Sequence, residues 1–302
     1  MTPSDASGGA PSGAGDSRWS SLERPPLNAA ALERALVVDG GLWSSVEVVA
    51  ATGSTNIDLA ARAAQLPEGA VLVAEEQTAG RGRLDRSWVA PARSGLFFSV
   101  LLKPGDGVPQ ERWGWLTLLA GVAAVTGLSR AAGVDTSLKW PNDLLITVDG
   151  EERKTGGILA ERVPGGPSGA GGPGGGVVIG IGLNVTLTED ELPVPEAGSL
   201  LLAKAAVTDR EPLLKAVLRS LERWYGDWRA AGGDPAASGL QEAYAANCVT
   251  LGRHVRADLP GGRTLTGTAE AVDADGRLVV RSAEDRHEAV GAGDVVHLRS
   301  VR

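Results

Sequence analysis

Leu144-Leu145-Ile146-Thr147-Val148-Asp149-Gly150-Glu151-Glu152-Arg153-Lys154-Thr155-Gly156-Gly157-Ile158-Leu159-Ala160-Glu161-Arg162-Val163 is the stretch on which the fold turns. Leu144–Val148 is an apolar run with β character, Asp149-Gly150 is a hairpin dipeptide, and residues 154–163 return as a second strand. Residues 164–176 contain mostly Gly, Pro, Ser and Ala, a low-complexity loop expected to be flexible, and 177–185 reads as a third strand. The three make an antiparallel meander. A first turn centred on 149–150 sets Lys154 opposite Leu145. A second centred near 169–170 sets Asn184 opposite Thr155. Asn142, Lys154 and Asn184 then share one end of three adjacent strands.

Upstream, residues 28–38 have a helical pattern and Val46–Val49 reads as a strand. Gly53-Ser54-Thr55-Asn56 opens a helix capped by Ser54 or Thr55, with Asp58 in its first turn and Leu59, Ala60, Ala63 and Ala64 inward. Strands are expected over 70–76 and 95–102, and a long apolar helix over 112–131. Downstream, helices are expected over 209–231, capped by Asp209, and over 235–246. Residues 248–302 change character. Runs such as Thr264–Val272, Leu278–Arg281, His287–Val290 and Val295–Leu298 alternate at period two between glycine turns, which predicts a small β-barrel. Three units follow: a disordered tail (1–17), a main domain (18–247) and a small C-terminal β domain (248–302).

Between the strands at 70–76 and 95–102 runs Gln77-Thr78-Ala79-Gly80-Arg81-Gly82-Arg83-Leu84-Asp85-Arg86-Ser87-Trp88. A connection of this length inside a domain is a lid or binding loop. Its glycines permit close backbone approach, and its three arginines supply forked donors for carboxylate or phosphate. The chain as a whole is acidic, with formal net charge −8, so this basicity is local. The same acidity argues against bulk nucleic-acid binding. No N-terminal apolar segment of signal type is present and no uninterrupted apolar run is long enough to span a bilayer, so the expectation is a cytoplasmic protein. Cys248 is the sole cysteine and reads as buried and inert. His254, His287 and His297 all lie in the last fifth, which excludes a Ser-His centre within 40–245. Any catalysis therefore works by charge and positioning. Arginine outnumbers lysine 24 to 5, so Lys139 and Lys154, retained within polar motifs, are candidates for a compact ammonium.

Three further motifs complete the set. In Lys139-Trp140-Pro141-Asn142-Asp143 the proline ends any helix and fixes Asn142 and Asp143 at the mouth of the next strand. In Lys154-Thr155-Gly156-Gly157 two glycines interrupt a strand, as a ligand lying on the backbone would require. Gly180-Ile181-Gly182-Leu183-Asn184-Val185 lacks the helix and third glycine of a dinucleotide fingerprint.

In this order, with Gly53-Ser54-Thr55-Asn56, the motifs resemble the biotin protein ligase family over about residues 50–185, and the C-terminal domain matches as well. The resemblance implies an α+β fold, a mixed or antiparallel sheet flanked by helices of the class II synthetase-like type, with an SH3-like β-barrel at the C-terminus. It implies ATP-dependent activation of biotin as biotinyl-5′-AMP, with Mg²⁺, and transfer to a lysine of a biotin carboxyl carrier domain of an acyl-CoA carboxylase. Lys154, Arg81 and Arg83 would be the catalytic cations. Contact between two anions costs about 4 kcal/mol at an effective dielectric of ~20, and these cations offset it. Ser54, Thr55, Asn56, Gln77, Arg81, Gly82, Arg83, Lys154, Gly156 and Gly157 would bind biotin. Trp88, Lys139, Asn142, Asp143 and Asn184 would lie at the nucleotide. No residues are assigned as a metal cage, although Asp143 is placed to help organise the site or its metal. Many members carry glycine where Asp85 stands, so loop closure is expected to differ here. The residues before Val46–Val49 leave no room for a three-helix DNA-binding domain, so the monofunctional type is expected, with no DNA or membrane partner. A homodimer through an edge strand is possible within the family. The rival readings are a lipoate or octanoate ligase-transferase of the same fold and a non-enzymatic biotin sensor.

Overall fold

The structure is a computed structural model, and it describes residues 24–84, 86–165, 175–291 and 294–297. The expected tail at 1–17, the residue Asp85 and most of the Gly/Pro loop lie outside the described residues. Seven strands form the main sheet: β1 (Ser45–Val49), β2 (Ala70–Ala74), β5 (Gly95–Leu102), β6 (Thr136–Lys139), β7 (Asp143–Val148), β8 (Glu151–Val163) and β9 (Gly176–Asn184). Their order across the sheet is β1-β2-β5-β9-β8-β7-β6. Only β1 and β2 run parallel; every other neighbour is antiparallel. This is the mixed sheet expected of an α+β protein, and Lys154 pairs with Leu145 as the hairpin spacing required.

The residues on the two faces of the sheet explain the layers. Val71 and Val73 belong to the main core, whereas Ala70 and Leu72 belong to a smaller one on the opposite face. The main core receives α1 (Ala29–Leu36), α3 (Trp115–Ala132) and α4 (Arg210–Ala230). The smaller core is roofed by α2 (Thr55–Arg62), whose Leu59 and C-cap residue Ala63 are buried as the sequence pattern required. With the 3₁₀ turn before it, α3 forms a 23-residue helix, Gln110–Ala132, apolar enough to cross a membrane by length and composition. Yet 72% of its most apolar window is buried inside the protein. It is apolar all round because it lies between sheet and α4, and Gly133 ends it in the left-handed conformation.

One expectation needs adjustment, and two elements are added to those expected. The helix expected from 235 begins only at α5 (Leu240–Asn247). Asp234 instead closes a turn by accepting from the backbone N–H groups of Ala236 and Ala237, and Gly239 at φ 72 breaks the chain before Leu240. The connection after β2 is not structureless: β3 (Gly80–Arg81) and β4 (Ser87–Trp88) pair as a two-residue ribbon. The edge strand β6 is four residues long and only Leu138 in it is apolar, so no apolar pattern marks it in the sequence.

The C-terminal part is a five-stranded antiparallel sheet of SH3-like type: β10 (His254–Asp258), β11 (Thr264–Val272), β12 (Leu278–Arg281), β13 (His287–Val290) and β14 (Asp294–His297). Their order is β13-β12-β11-β10-β14. The turn between β11 and β12 docks on the main domain. The Trp115 indole donates to the carbonyl of Ala274 (3.0 Å) and the Trp140 indole to that of Gly276 (3.2 Å).

Candidate active site

A cavity of about 270 Å³ opens on the sheet face that carries α2. Its floor is glycine. A Cβ at Gly182 would stand 3.0 Å from the Trp88 ring, and one at Gly157 would stand 3.3 Å from it. The indole therefore lies directly on two strands, as only glycine allows.

One end is polar and buried. Gln77 Oε1 accepts from the Thr55 backbone N–H (2.9 Å), taking up an unpaired donor at the start of α2, and from the Thr55 hydroxyl (3.1 Å). Asn56 Oδ1 accepts from Ser99 Oγ (2.7 Å) and Asn56 Nδ2 donates to Leu159 O (3.2 Å). Ser54 is the N-cap residue, but its side chain makes no cap hydrogen bond.

The other end is charged. Lys154 Nζ stands 2.6 Å from Asp143 Oδ1 and 5.8 Å from the centre of the Trp88 ring. Arg83 donates to Asn142 Oδ1 (3.3 Å), while Asn142 Nδ2 donates to Ile158 O (3.0 Å). Lys139 and Arg86 also line this space.

A β-bulge explains how Lys154 arrives there. β7 and β8 pair Leu144 with Gly156 and Leu145 with Lys154, so Thr155 is an extra residue. In a regular strand Lys154 and Gly156 would share a face. The inserted residue instead puts Lys154 on the face of Gly157, whose built Cβ would lie 3.6 Å from Lys154 Nζ. The extra Thr155 is fully buried, and its hydroxyl donates to Asn184 O (3.3 Å). Residues 196–198 run alongside: Lys154 N–H donates to Glu196 O and Gly198 N–H to Lys154 O.

Of the residues singled out in the sequence, Ser54, Thr55, Asn56, Gln77, Arg81, Gly82, Arg83, Trp88, Lys139, Asn142, Asp143, Lys154 and Gly157 all line the cavity. Two do not. A Cβ on Gly156 would meet Leu144 and the Gly182 carbonyl, so Gly156 faces the helix side, and its lack of a side chain serves packing there. Asn184 is buried beneath the 196–200 segment and donates to Gly198 O (3.0 Å), so its carboxamide is not offered to the cavity.

Comparison with known proteins identifies what this arrangement belongs to. Residues 48–184 match the biotin/lipoate A/B protein ligase family, and residues 250–298 match the biotin protein ligase C-terminal domain. The biotin ligase of acetyl-CoA carboxylase from Mycobacterium tuberculosis is 43% identical over 281 residues, 91% of this chain and 97% of that protein. The chain belongs to the biotin protein ligase family. Biotin protein ligases are enzymes. The bifunctional ligase/repressor BirA of Bacillus spizizenii is 36% identical across 79% of this chain and 69% of its own length. The biotin protein ligase of Aquifex aeolicus, solved in complex with biotin and ATP, has the same fold. Its TM-score is 0.66 at 24% identity, covering 85% of this chain and all of that one.

Several further residues line the biotin protein ligase cavity. Gly180 and Gly182 were legible, because they alternate on one face of β9 at period two, as do Gly157 and Leu159 on β8. Val295 of the cavity, and Ser99 buried behind Thr55 and Asn56, carry no local signal. Val295 arrives from β14, which shows that the C-terminal sheet contributes to the cavity wall.

Proposed function

We propose that the protein joins biotin to ATP as biotinyl-5′-AMP and then transfers the biotinyl group to a lysine of a biotin carboxyl carrier domain. The observation that carries this reading is one cavity with a buried hydrogen-bonding end, a glycine-and-indole middle and a cationic end of Lys154, Arg83 and Lys139. A ureido ring suits the first, a fused bicyclic ring and its short apolar chain the second, and a carboxylate meeting a phosphate the third.

In the first step a biotin carboxylate oxygen attacks the α-phosphorus, the bond to the β-phosphate oxygen breaks, and pyrophosphate leaves. Lys154, Arg81 and Arg83 offset the meeting of the two anions and the charge on the phosphoryl oxygens. In the second step the acceptor amine attacks the mixed anhydride carbonyl, AMP leaves, and the amine proton passes to solvent. No side-chain nucleophile is needed. Thr55, Asn56 and Gln77 hold the ureido end, with Ser54 beside them. Gly157, Gly180 and Gly182 form the floor, and Gly82 lets the lid approach. Trp88, Lys139 and Asn142 lie towards the nucleotide.

Mg²⁺ fits as a substrate-borne ion. The described residues hold no group of three candidate ligands for a protein cage, but Asp143 is a carboxylate at the cationic end. Such an ion takes one or two carboxylates plus phosphates, and neutralises phosphate charge.

Residues 18–247 are taken as the catalytic domain and 248–302 as the small C-terminal domain. The protein is proposed to work in the cytoplasm without a DNA or membrane partner. A homodimer would pair edge strands. Binding of operator DNA by the purified protein would overturn the absence of a DNA partner.

The deciding experiment is ATP–pyrophosphate exchange with biotin, octanoate and lipoate side by side. Exchange with biotin alone is expected. Exchange with octanoate or lipoate instead would move the protein to the lipoate side of the family. Biotin binding without exchange would make it a sensor.

A further inference from the structure

We propose that Glu161 is a positioning residue that ties the lid to the pocket wall, one carboxylate oxygen to each. The proposal rests on the ligase reading of the cavity. Glu161 lies on β8 four residues after Gly157, on the same face as Gly157 and Leu159, just past the cavity. Its Oε2 accepts from Asn56 Nδ2 at 2.8 Å. Its Oε1 stands 3.4 Å from the guanidinium of Arg81, on the β3–β4 ribbon. The carboxylate thus bridges the first turn of α2 and the lid.

The wall side is rigid. Asn56 is 4% exposed, and both ends of its amide are used within the protein, by Glu161 and Leu159 on one side and Ser99 on the other. Ser99 also contacts the Thr55 hydroxyl (2.8 Å), and Thr55 contacts Gln77. A Cβ on Gly180 would stand 2.3 Å from Asn56 Oδ1, so Asn56 lies hard against the pocket floor.

The lid side is more exposed: the side chains of Arg81 and Glu161 are 41% and 31% accessible. Such a pair is weak on its own, which suits a latch that must open for each turnover. Asp143, the carboxylate at the far end, is paired with Lys154. Glu161 is therefore placed to govern how long the lid stays shut over a bound adenylate, and not the chemistry at Lys154.

The test measures release of added biotinyl-5′-AMP from the wild-type protein, Glu161→Gln, Arg81→Gln and the double variant. The amide keeps the shape of Glu161 and removes its charge. Glu161→Gln is expected to speed release about two- to fivefold, the span of an exposed ion pair, and Arg81→Gln by at least as much, since it also removes a cation assigned to the adenylate. The double variant should be no faster than the faster single one, because both changes remove the same contact. Adenylate formation by Glu161→Gln in a single turnover at saturating biotin and ATP should stay within about twofold of wild type. Multiplying effects in the double variant overturn the proposal. So does slower adenylate formation with unchanged release, or a lower melting temperature with unchanged release, which would mark a merely structural role. A wild-type protein that forms no adenylate from biotin and ATP sinks the ligase reading and this proposal with it.

Discussion

At the scale of single residues, the site divides into groups that carry charge and groups that make room. Lys154 is the chief example of the first. Lys154→Ala is expected to lower biotin-dependent pyrophosphate exchange on the order of a hundredfold or more, as loss of a positioned charge at a transition state does. The melting temperature should hold, because the ammonium is part-exposed and, among the described residues, paired only with Asp143 and the Trp88 face. Exchange at the wild-type rate would remove Lys154 from the chemistry. Gly180 is the example of the second. Its missing side chain leaves Asn56 Oδ1 where a Cβ would stand 2.3 Å away. Gly180→Ala must push Asn56 off Ser99 or Glu161, so biotin affinity should fall about tenfold, read by calorimetry against biotin. Unchanged affinity would mean that the Asn56 wall does not touch biotin.

At the scale of elements, buried charge fixes how the chain before β1 meets α4. Arg210 and Glu75 are 5% and 7% exposed and pair at 2.6 Å. Arg210 also donates to Pro25 O (2.6 Å), and Glu75 accepts from the Leu27 N–H (2.6 Å). Breaking such a pair from one side leaves a buried charge uncompensated and costs about 3–5 kcal/mol. Arg210→Met should lower stability by about that much in urea titration, with the slope unchanged; a cost near zero would show the pair to be dispensable. Nearby, Arg24 pairs with Glu191 and, as the largest influence, holds its carboxyl below the ordinary range. A depressed folded pKa gives stability that is present above the unfolded value and is lost as pH falls through the folded one. Arg24→Ala should therefore cost more at about pH 7 than at about pH 3. Equal costs at both would refute the linkage.

The same scale shows what the sequence made legible. Asp149-Gly150 fixed the β7–β8 register, because a two-residue turn with φ 50 and φ 85 admits little else. The ordered motifs then brought Lys154, Asn142 and the lid together. What stayed hidden was non-local. The bulge at Thr155 moved Lys154 to the face of Gly157, and the 196–200 segment covered Asn184. No periodicity within β8 or β9 encodes either.

At the scale of the whole molecule, one turn of the C-terminal sheet is wired to the cavity by hydrogen bonds. Asp273 Oδ1 accepts from the N–H groups of Asp275 (2.9 Å) and Arg277 (3.0 Å), which folds the turn so that its carbonyls face outward. Ala274 O then takes the Trp115 indole, and Gly276 O takes that of Trp140. Trp140 leads directly into Pro141 and Asn142 at the cavity, and Asn142 accepts from Arg83 of the lid. A displacement of the turn is therefore passed to the lid through two hydrogen bonds. Gly114 is the place to apply it, since a Cβ there would lie 2.4 Å from Asp275 O, a backbone atom that cannot swing aside. Gly114→Ala should force the turn away at about 1–3 kcal/mol of overpacking. The expected kinetic signature is a raised KM for biotin, about threefold or more, with kcat less affected, because the change loosens binding and leaves Lys154 in place. Gly107→Ala, where a Cβ would meet nothing within 4 Å, serves as the silent control. If Gly114→Ala lowers stability by that amount but leaves KM at the control value, the small sheet is a passenger on the catalytic domain and the path through Trp140 carries no coupling.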